Sequence, residues 1–229
     1  MFTEDDITHQ QALLHTYRHN VKVLLLQAAQ YNGELNAPLQ LLNNLQEARE
    51  HIFQIKAILR SNNIKVDDHP DDIPLARRTL DEAVGKQAAQ VSENERLQVL
   101  RRAQFAASLL KGAQILWVDD IPSNNIYERR LFRSLGIFVD LARSTEEALE
   151  MMQFTKYDLI ISDITRGEIR DAGIQFLNDL NKLDYDTLTI LYTGPRAAAR
   201  GIPKGAFAIT ARPDHLLHYV IDALEREKI

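Results

Sequence analysis

Two apolar runs in this chain end on aspartates. Gln114-Ile115-Leu116-Trp117-Val118 leads into Asp119-Asp120, and Asp158-Leu159-Ile160-Ile161-Ser162 leads into Asp163. In a parallel α/β sheet, ligands gather outside the carboxyl ends of the strands, so the three acids are expected to converge on one small site. Two like charges about 4 Å apart repel by roughly 4 kcal/mol at an effective dielectric near 20, and a third adds to the penalty. Such a cluster either keeps a proton or takes up a divalent cation. Oxygen ligands with no Cys or His nearby favour Mg²⁺ or Mn²⁺ over Zn²⁺. The competing reading, in which each aspartate caps the helix after it, suits a single acid better than three acids at two strand ends.

The elements that must position these acids follow from the hydrophobic pattern. From residue 113 onward strand and helix alternate, with strands near 114–118, 137–141, 158–162, 187–192 and 206–210 and helices near 123–135, 145–153, 171–182 and 213–227. This order predicts an α/β domain built as one doubly wound five-stranded parallel sheet. The fourth helix is the weak element. Gly194-Pro195 and Gly201-Ile202-Pro203 bracket it and leave room for little more than one turn.

The first part of the chain reads as all-α. Leu13, Leu14, Tyr17, Val21, Leu24, Leu25 and Ala28 recur at helical spacing before Asn32-Gly33. A second stripe runs from Leu39 through Ile58 and Leu59, with Asn36 and Pro38 at its start. Together they predict a helical hairpin over residues 1–65. Two helices leave part of each stripe facing water, so the hairpin calls for a partner, and a homo-oligomer is expected. Residues 66–112 read as a linker, acidic and twice interrupted by proline between Val66 and Pro74, followed by connecting helices near 75–90 and 92–110. Ser92 and Glu95 make a capping box for the second of these.

Composition narrows the function classes. The 229 residues carry a formal net charge of −5 and are 45% hydrophobic, which fits a folded globular protein and gives no global footprint for nucleic acid. With Cys 0, thiol catalysis, disulfides and thiolate metal sites are excluded. The acidic start Met1-Phe2-Thr3-Glu4-Asp5-Asp6 is unlike a secretory leader, and no apolar run is long enough to span a bilayer. A cytoplasmic protein with neither nucleic-acid nor membrane partners is expected. His15 and His19, four apart on one helix, lack a third ligand and read as surface or interface residues, as does His51. Arg77-Arg78 and Arg101-Arg102 are interleaved with acids, which suits ion pairs better than DNA binding.

Residues from about Gln114 onward resemble the receiver domain of two-component response regulators. The residues that carry the likeness are Asp119-Asp120, Asp163, Thr193 in Leu191-Tyr192-Thr193-Gly194, and Arg212-Pro213, each at a successive strand end. The resemblance implies a flavodoxin-like receiver over residues 113–229 in which Asp163 takes a phosphoryl group from a histidine kinase or a small phosphodonor. Asp120, Asp163 and the backbone carbonyl of Thr165 would hold Mg²⁺, with Asp119 acting partly through water. Thr193 would hydrogen-bond a phosphoryl oxygen and Arg212 would grip the phosphate. Such a domain accepts a phosphoryl group and is not otherwise an enzyme.

The chain departs from the pattern in three places. Arg212 stands where receivers usually have Lys, the loop of residues 164–173 lacks Met-Pro and is about two residues longer, and Ile209 occupies the position of a switching aromatic. The segments Tyr17-Arg18-His19-Asn20 and Tyr31 to Leu39 also resemble the effector-associated helical hairpins of bacterial signalling and defence proteins, which implies an adaptor role toward a downstream protein effector. The expected function is an aspartyl-phosphate switch controlling protein–protein interaction through the N-terminal helices. The alternative is a degenerate receiver acting as a phosphorylation-independent adaptor or scaffold. A Mg²⁺-dependent phosphohydrolase is the third reading, and it lacks a general acid near Asp163.

Overall fold

The computed structural model describes residues 3–86 and 91–226. The chain forms two compact units that divide between Arg78 and Thr79, against boundaries expected at 65/66 and 112/113. Residues 66–74 therefore belong with the hairpin, and the helices of residues 93–110 belong with the sheet.

In the first unit, α1 (Glu4–Ala29) and α2 (Leu39–Ser61) lie against each other, and Thr3 and Asp6 close a capping box at the start of α1. Asn32 and Gly33 turn the chain with positive φ of 61° and 105°. Leu14, Val21, Leu45, Ile52 and Leu59 meet in one apolar core. The acidic stretch after α2 is pinned back onto the hairpin. Arg18 Nε and Nη2 donate to the Asp72 carboxylate at 3.1 and 2.7 Å, Lys56 Nζ donates to Asp72 Oδ2 at 3.1 Å and also pairs with Asp68, and Arg49 Nε donates to the Asp71 carbonyl at 2.8 Å. Arg49 also forks onto Glu34 at 2.6 and 3.0 Å. Burial works to raise the pKa of Glu34 and of Asp72, but Arg49 and Arg78 on the first and Arg18 and Lys56 on the second hold both below the usual carboxylate range. Leu26 and Phe53 remain 64% exposed, so the apolar stripes are incompletely covered.

The second unit contains the five-stranded parallel sheet, in the order β2-β1-β3-β4-β5. The strands are β1 (Gln114–Val118), β2 (Phe138–Ala142), β3 (Leu159–Ser162), β4 (Thr189–Tyr192) and β5 (Ala208–Thr210). After α3 (Leu75–Lys86), which carries the division between units, come α4 (Glu93–Phe105) and α5 (Ala107–Leu110). The expected continuation of the helix beginning at Leu75 to Gln90 lies outside the described residues. Between and after the strands run α6 (Ile126–Ser134), α7 (Thr145–Phe154), α8 (Ala172–Lys182), the single turn α9 (Pro195–Ala198) and α10 (Pro213–Arg226). The strands β1, β3 and β4 are buried from Ile115, Leu159 and Thr189 onward, as expected of central parallel strands covered on both faces.

The strand order reverses between β1 and β3, and this is where a doubly wound sheet opens its ligand crevice. α4 packs on α10. Arg102 Nη2 donates to Asp222 Oδ1 at 2.5 Å and to Glu225 Oε2 at 2.9 Å, while Val99 and Ala103 are buried. Among the described residues no helix is long and apolar enough to cross a membrane.

Candidate functional site

Val118 and Ser162 are register partners across β1 and β3, so the residues that follow them, Asp119 and Asp163, leave adjacent strand ends. The Asp163 N–H donates to the Val118 carbonyl at 3.0 Å and fixes that adjacency. Asp119 is 7% exposed and spends both carboxylate oxygens inside the chain, accepting from the Ile121 N–H at 2.7 Å and from Asn125 Nδ2 at 2.9 Å. Asn125 in turn accepts from Arg129 Nε at 2.7 Å. The half-buried Asp120 accepts from the Gly167 N–H at 2.9 Å, and Asp163 accepts from the Ile164 N–H at 2.7 Å.

The electrostatics are those of anions kept from water. Burial pushes the Asp163 carboxyl up; the Thr193 hydroxyl and the N–H groups of Ile164 and Thr165 oppose the rise, and the charge of Asp120 adds to it. Asp119 is likewise raised, first by burial and then, against the pull of the Ile121 N–H, by the charge of Asp163. Thr193 stands beside Asp163 because its N–H donates to the Thr210 carbonyl at 3.0 Å, which continues the β4–β5 ladder past Tyr192. An open cleft lined by Asp163, Thr165, Thr193 and residues 194–197 reaches Asp163 from solvent.

The long loop after β3 has a defined use. Arg166 and Ile169 exchange backbone hydrogen bonds at 3.1 and 3.0 Å, closing a tight turn in which Gly167 has a φ of 55°. The N–H at the tip of this turn is the one that tethers Asp120. Thr165 ties the start of the loop to its end through its hydroxyl, which donates to the Arg170 carbonyl at 3.0 Å. Its own carbonyl takes no hydrogen bond from the chain among the described residues.

A hard divalent cation suits this donor set. Asp119, Asp120, Asp163 and the Thr165 carbonyl offer only oxygen, and two of the acids are held above their ordinary pKa in a way that a nearby positive charge would relieve. Each of the three carboxylates accepts from a different backbone N–H, of Ile121, Gly167 and Ile164, and together they do not form a group whose donor atoms all lie within 4.8 Å. Among the described residues, the group whose donor atoms all lie within 4.8 Å of one another is Glu95, Asp214 and His215. The cation seated there is Arg212.

Arg212, expected to grip phosphate, is committed elsewhere. Its Nε and Nη2 donate to Asp214 at 3.1 and 2.6 Å, and Nη2 also donates to Glu95 Oε1 on α4 at 2.8 Å. Glu95 is pulled down to about 2, chiefly by its capping bonds with Ser92 and next by Arg212. Ile209 packs with Ile164, Leu177 and Leu191 as an ordinary apolar residue.

Three residues near the acids carried no role in the sequence reading. Asn125 is 2% exposed and solvates Asp119. Arg166 is 6% exposed and lies under the loop after β3. Gly173 packs on the Asp163 backbone, where a Cβ would lie 2.4 Å from the Asp163 carbonyl oxygen. Asking what satisfies a buried Asp119, and what a positive charge is doing four residues past a strand end, is the available signal for the first two.

Residues 115–213 match the family model of the response regulator receiver domain. Similar solved structures include the response regulator protein TrrA from Thermotoga maritima in complex with Mg²⁺-BeF, at 26% identity over 48% of this chain and 98% of that one with a TM-score of 0.43. They also include the signal receiver domain of an HD domain-containing protein from Pseudomonas fluorescens Pf-5, at 25% identity over 52% and 98% with a TM-score of 0.45. A third is a response regulator receiver domain protein from Clostridium thermocellum, at 23% identity over 51% and 97% with a TM-score of 0.44. None of the curated proteins matches the chain. By the family match and by its five-stranded parallel fold, the segment from Ile115 to Pro213 is a response regulator receiver domain.

Proposed function

We propose that this protein is an aspartyl-phosphate switch in which Asp163 is the acceptor. A carboxylate oxygen of Asp163 forms a bond to the donor phosphorus, and the donor's P–N bond (a phosphohistidine of a kinase) or P–O bond (a small acyl phosphate) breaks, its electron pair leaving with imidazole or carboxylate. Asp120, Asp163 and the Thr165 carbonyl would hold Mg²⁺, with Asp119 contributing partly through water. Bound there, the ion offsets the charges of the carboxylate and the phosphoryl oxygens as they approach. Thr193 donates its hydroxyl to a phosphoryl oxygen.

The observation that carries this reading is the pairing of Val118 with Ser162, which brings Asp119 and Asp163 to adjacent strand ends, together with a cleft that opens onto Asp163 and Thr193. The output is protein–protein contact through the N-terminal helices, whose exposed Leu26 and Phe53 suit a downstream protein or a second copy of the chain. Self-association that changes on adding Mg²⁺ and beryllofluoride, followed by light scattering, is the expected result; an unchanged mass would remove the output half of the proposal.

A second reading, a phosphorylation-independent adaptor, draws on the ion pairs that occupy Arg212. It predicts that Mg²⁺ leaves the fluorescence of Trp117 unchanged, although Trp117 lies two residues before Asp119.

A further inference from the structure

Arg166 is 6% exposed, and every hydrogen bond it makes through its guanidinium goes to a neutral acceptor. Nη1 donates to Ser162 Oγ at 2.8 Å and to the Asp163 carbonyl at 3.5 Å; Nη2 donates to Thr145 Oγ1 at 2.7 Å and to the Ala172 carbonyl at 3.1 Å. The guanidinium carbon stands 5.7 Å from the centre of the Phe176 ring. Burying a charge without a counter-ion is costly, and among the described residues no carboxylate pairs with this one. The anions that act on it are, in order, Asp163, Asp120, the exposed Glu146 and Asp119. Arg212 is the reverse case, a cation directly neutralised by Asp214 and Glu95. Arg129 reaches Asp119 through Asn125.

We propose that Arg166, clamped by Ser162, Thr145 and Ala172 beneath the loop after β3, is the fixed positive charge of the phosphoryl-acceptor site, the task that position 212 does not perform. It acts as a positioning residue through its field, reducing the net negative charge that an incoming phosphoryl group meets at Asp163. Its three-point clamp joins the end of β3 to the first residues of α7 and α8, so the charge is held without a carboxylate partner that would cancel it. This inference rests on Asp163 being the acceptor.

A buried unit charge at this range predicts opposite effects on the two ligands of the site. Removing it in Arg166→Met, which keeps an apolar stem against Phe176, should tighten Mg²⁺ about threefold or more while weakening beryllofluoride, measured at saturating Mg²⁺, by about tenfold or more. Arg166→Lys, which keeps the charge but cannot make the full clamp, should lie closer to wild type in both. A purely structural residue would weaken both ligands together, and that result would overturn the proposal.

Where Arg166→Met melts early, the wild-type protein provides the test by NMR. Saturation with Mg²⁺ and beryllofluoride should shift the Arg166 Nε–H resonance and leave that of Arg212 in place, and the converse pattern would overturn the assignment. Failure of the wild-type protein to bind beryllofluoride at all would instead remove the acceptor reading on which this rests.

Discussion

Gly173, near the start of α8, lies so close to the backbone of Asp163 that a Cβ built on it would stand 2.4 Å from the Asp163 carbonyl oxygen and 2.9 Å from the Ile164 Cα. Both obstacles are backbone and cannot swing aside. Gly173→Ala should therefore displace the strand end that carries Asp163. Overpacking of this kind costs about 1–3 kcal/mol, so the melting temperature should fall by several degrees and beryllofluoride binding should weaken with it. Wild-type melting and binding in that variant would mean the loop yields more easily than its packing implies.

The site acids store electrostatic strain. Asp119 and Asp163 have folded-state pKa values raised above their ordinary 3.8, so their contribution to stability is full below 3.8 and is lost as pH rises through the folded values. In EDTA at neutral pH, Asp163→Asn should raise the melting temperature by a few degrees. Mg²⁺ should stabilise the wild-type protein more than the variant. Scanning calorimetry with and without the ion reads both effects.

Glu34 and Asp72 in the N-terminal unit have the opposite sign. Their pKa values are depressed below 4.5 and 3.8, so the stability they supply is present above those values and is lost as pH falls through the folded ones. Asp72→Ala leaves Lys56, whose side chain is 9% exposed, short of one anion and Arg18 without its carboxylate. A cost of about 3 kcal/mol follows from breaking a buried pair. Helical circular dichroism assigned to the hairpin should melt earlier, while the sheet unit should be unaffected.

Glu95 links the start of α4 to the β5–α10 connection through Arg212. Glu95→Gln removes that charge, along with the carboxylate of the Ser92 capping box. Hydrogen exchange of amides near Glu95 should accelerate, and amides of β1 should be unchanged. The same acceleration in wild type should appear only as pH falls below 4.5 toward about 2, the range over which Glu95 titrates.

The sheet was legible from the sequence because a strand buried on both faces leaves a continuous apolar run. Ile115 to Val118 and Leu159 to Ile161 announce themselves, and every acid placed at their ends sits there. Asp163 and Thr193 each follow directly on a strand for the same reason, since strand ends are fixed by the ladder. Arg212 was placed correctly in the chain, yet its side chain turned to Asp214 and Glu95. That choice depends on α4, whose docking on α10 is a contact between residues more than a hundred positions apart, of which local pattern carries no trace. Arg166 sits in a loop, where periodicity is silent, and Gly173 lies in the first turn of α8, where a glycine carries no apolar signal, so only three-dimensional packing assigns either a role. The acidic stretch of residues 66–74 looked like a spacer because its prolines and charges break helical pattern, whereas its partners Arg18, Arg49 and Lys56 lie on the helices before it.

The most direct test of the acceptor assignment is labelling by acetyl phosphate in Mg²⁺, read by intact mass. The wild-type chain should gain one phosphoryl group that hydroxylamine removes, and Asp163→Asn should gain none. Equal labelling of the two proteins, or no labelling of the wild-type chain by acetyl phosphate or a phosphorylated histidine donor, would contradict the account.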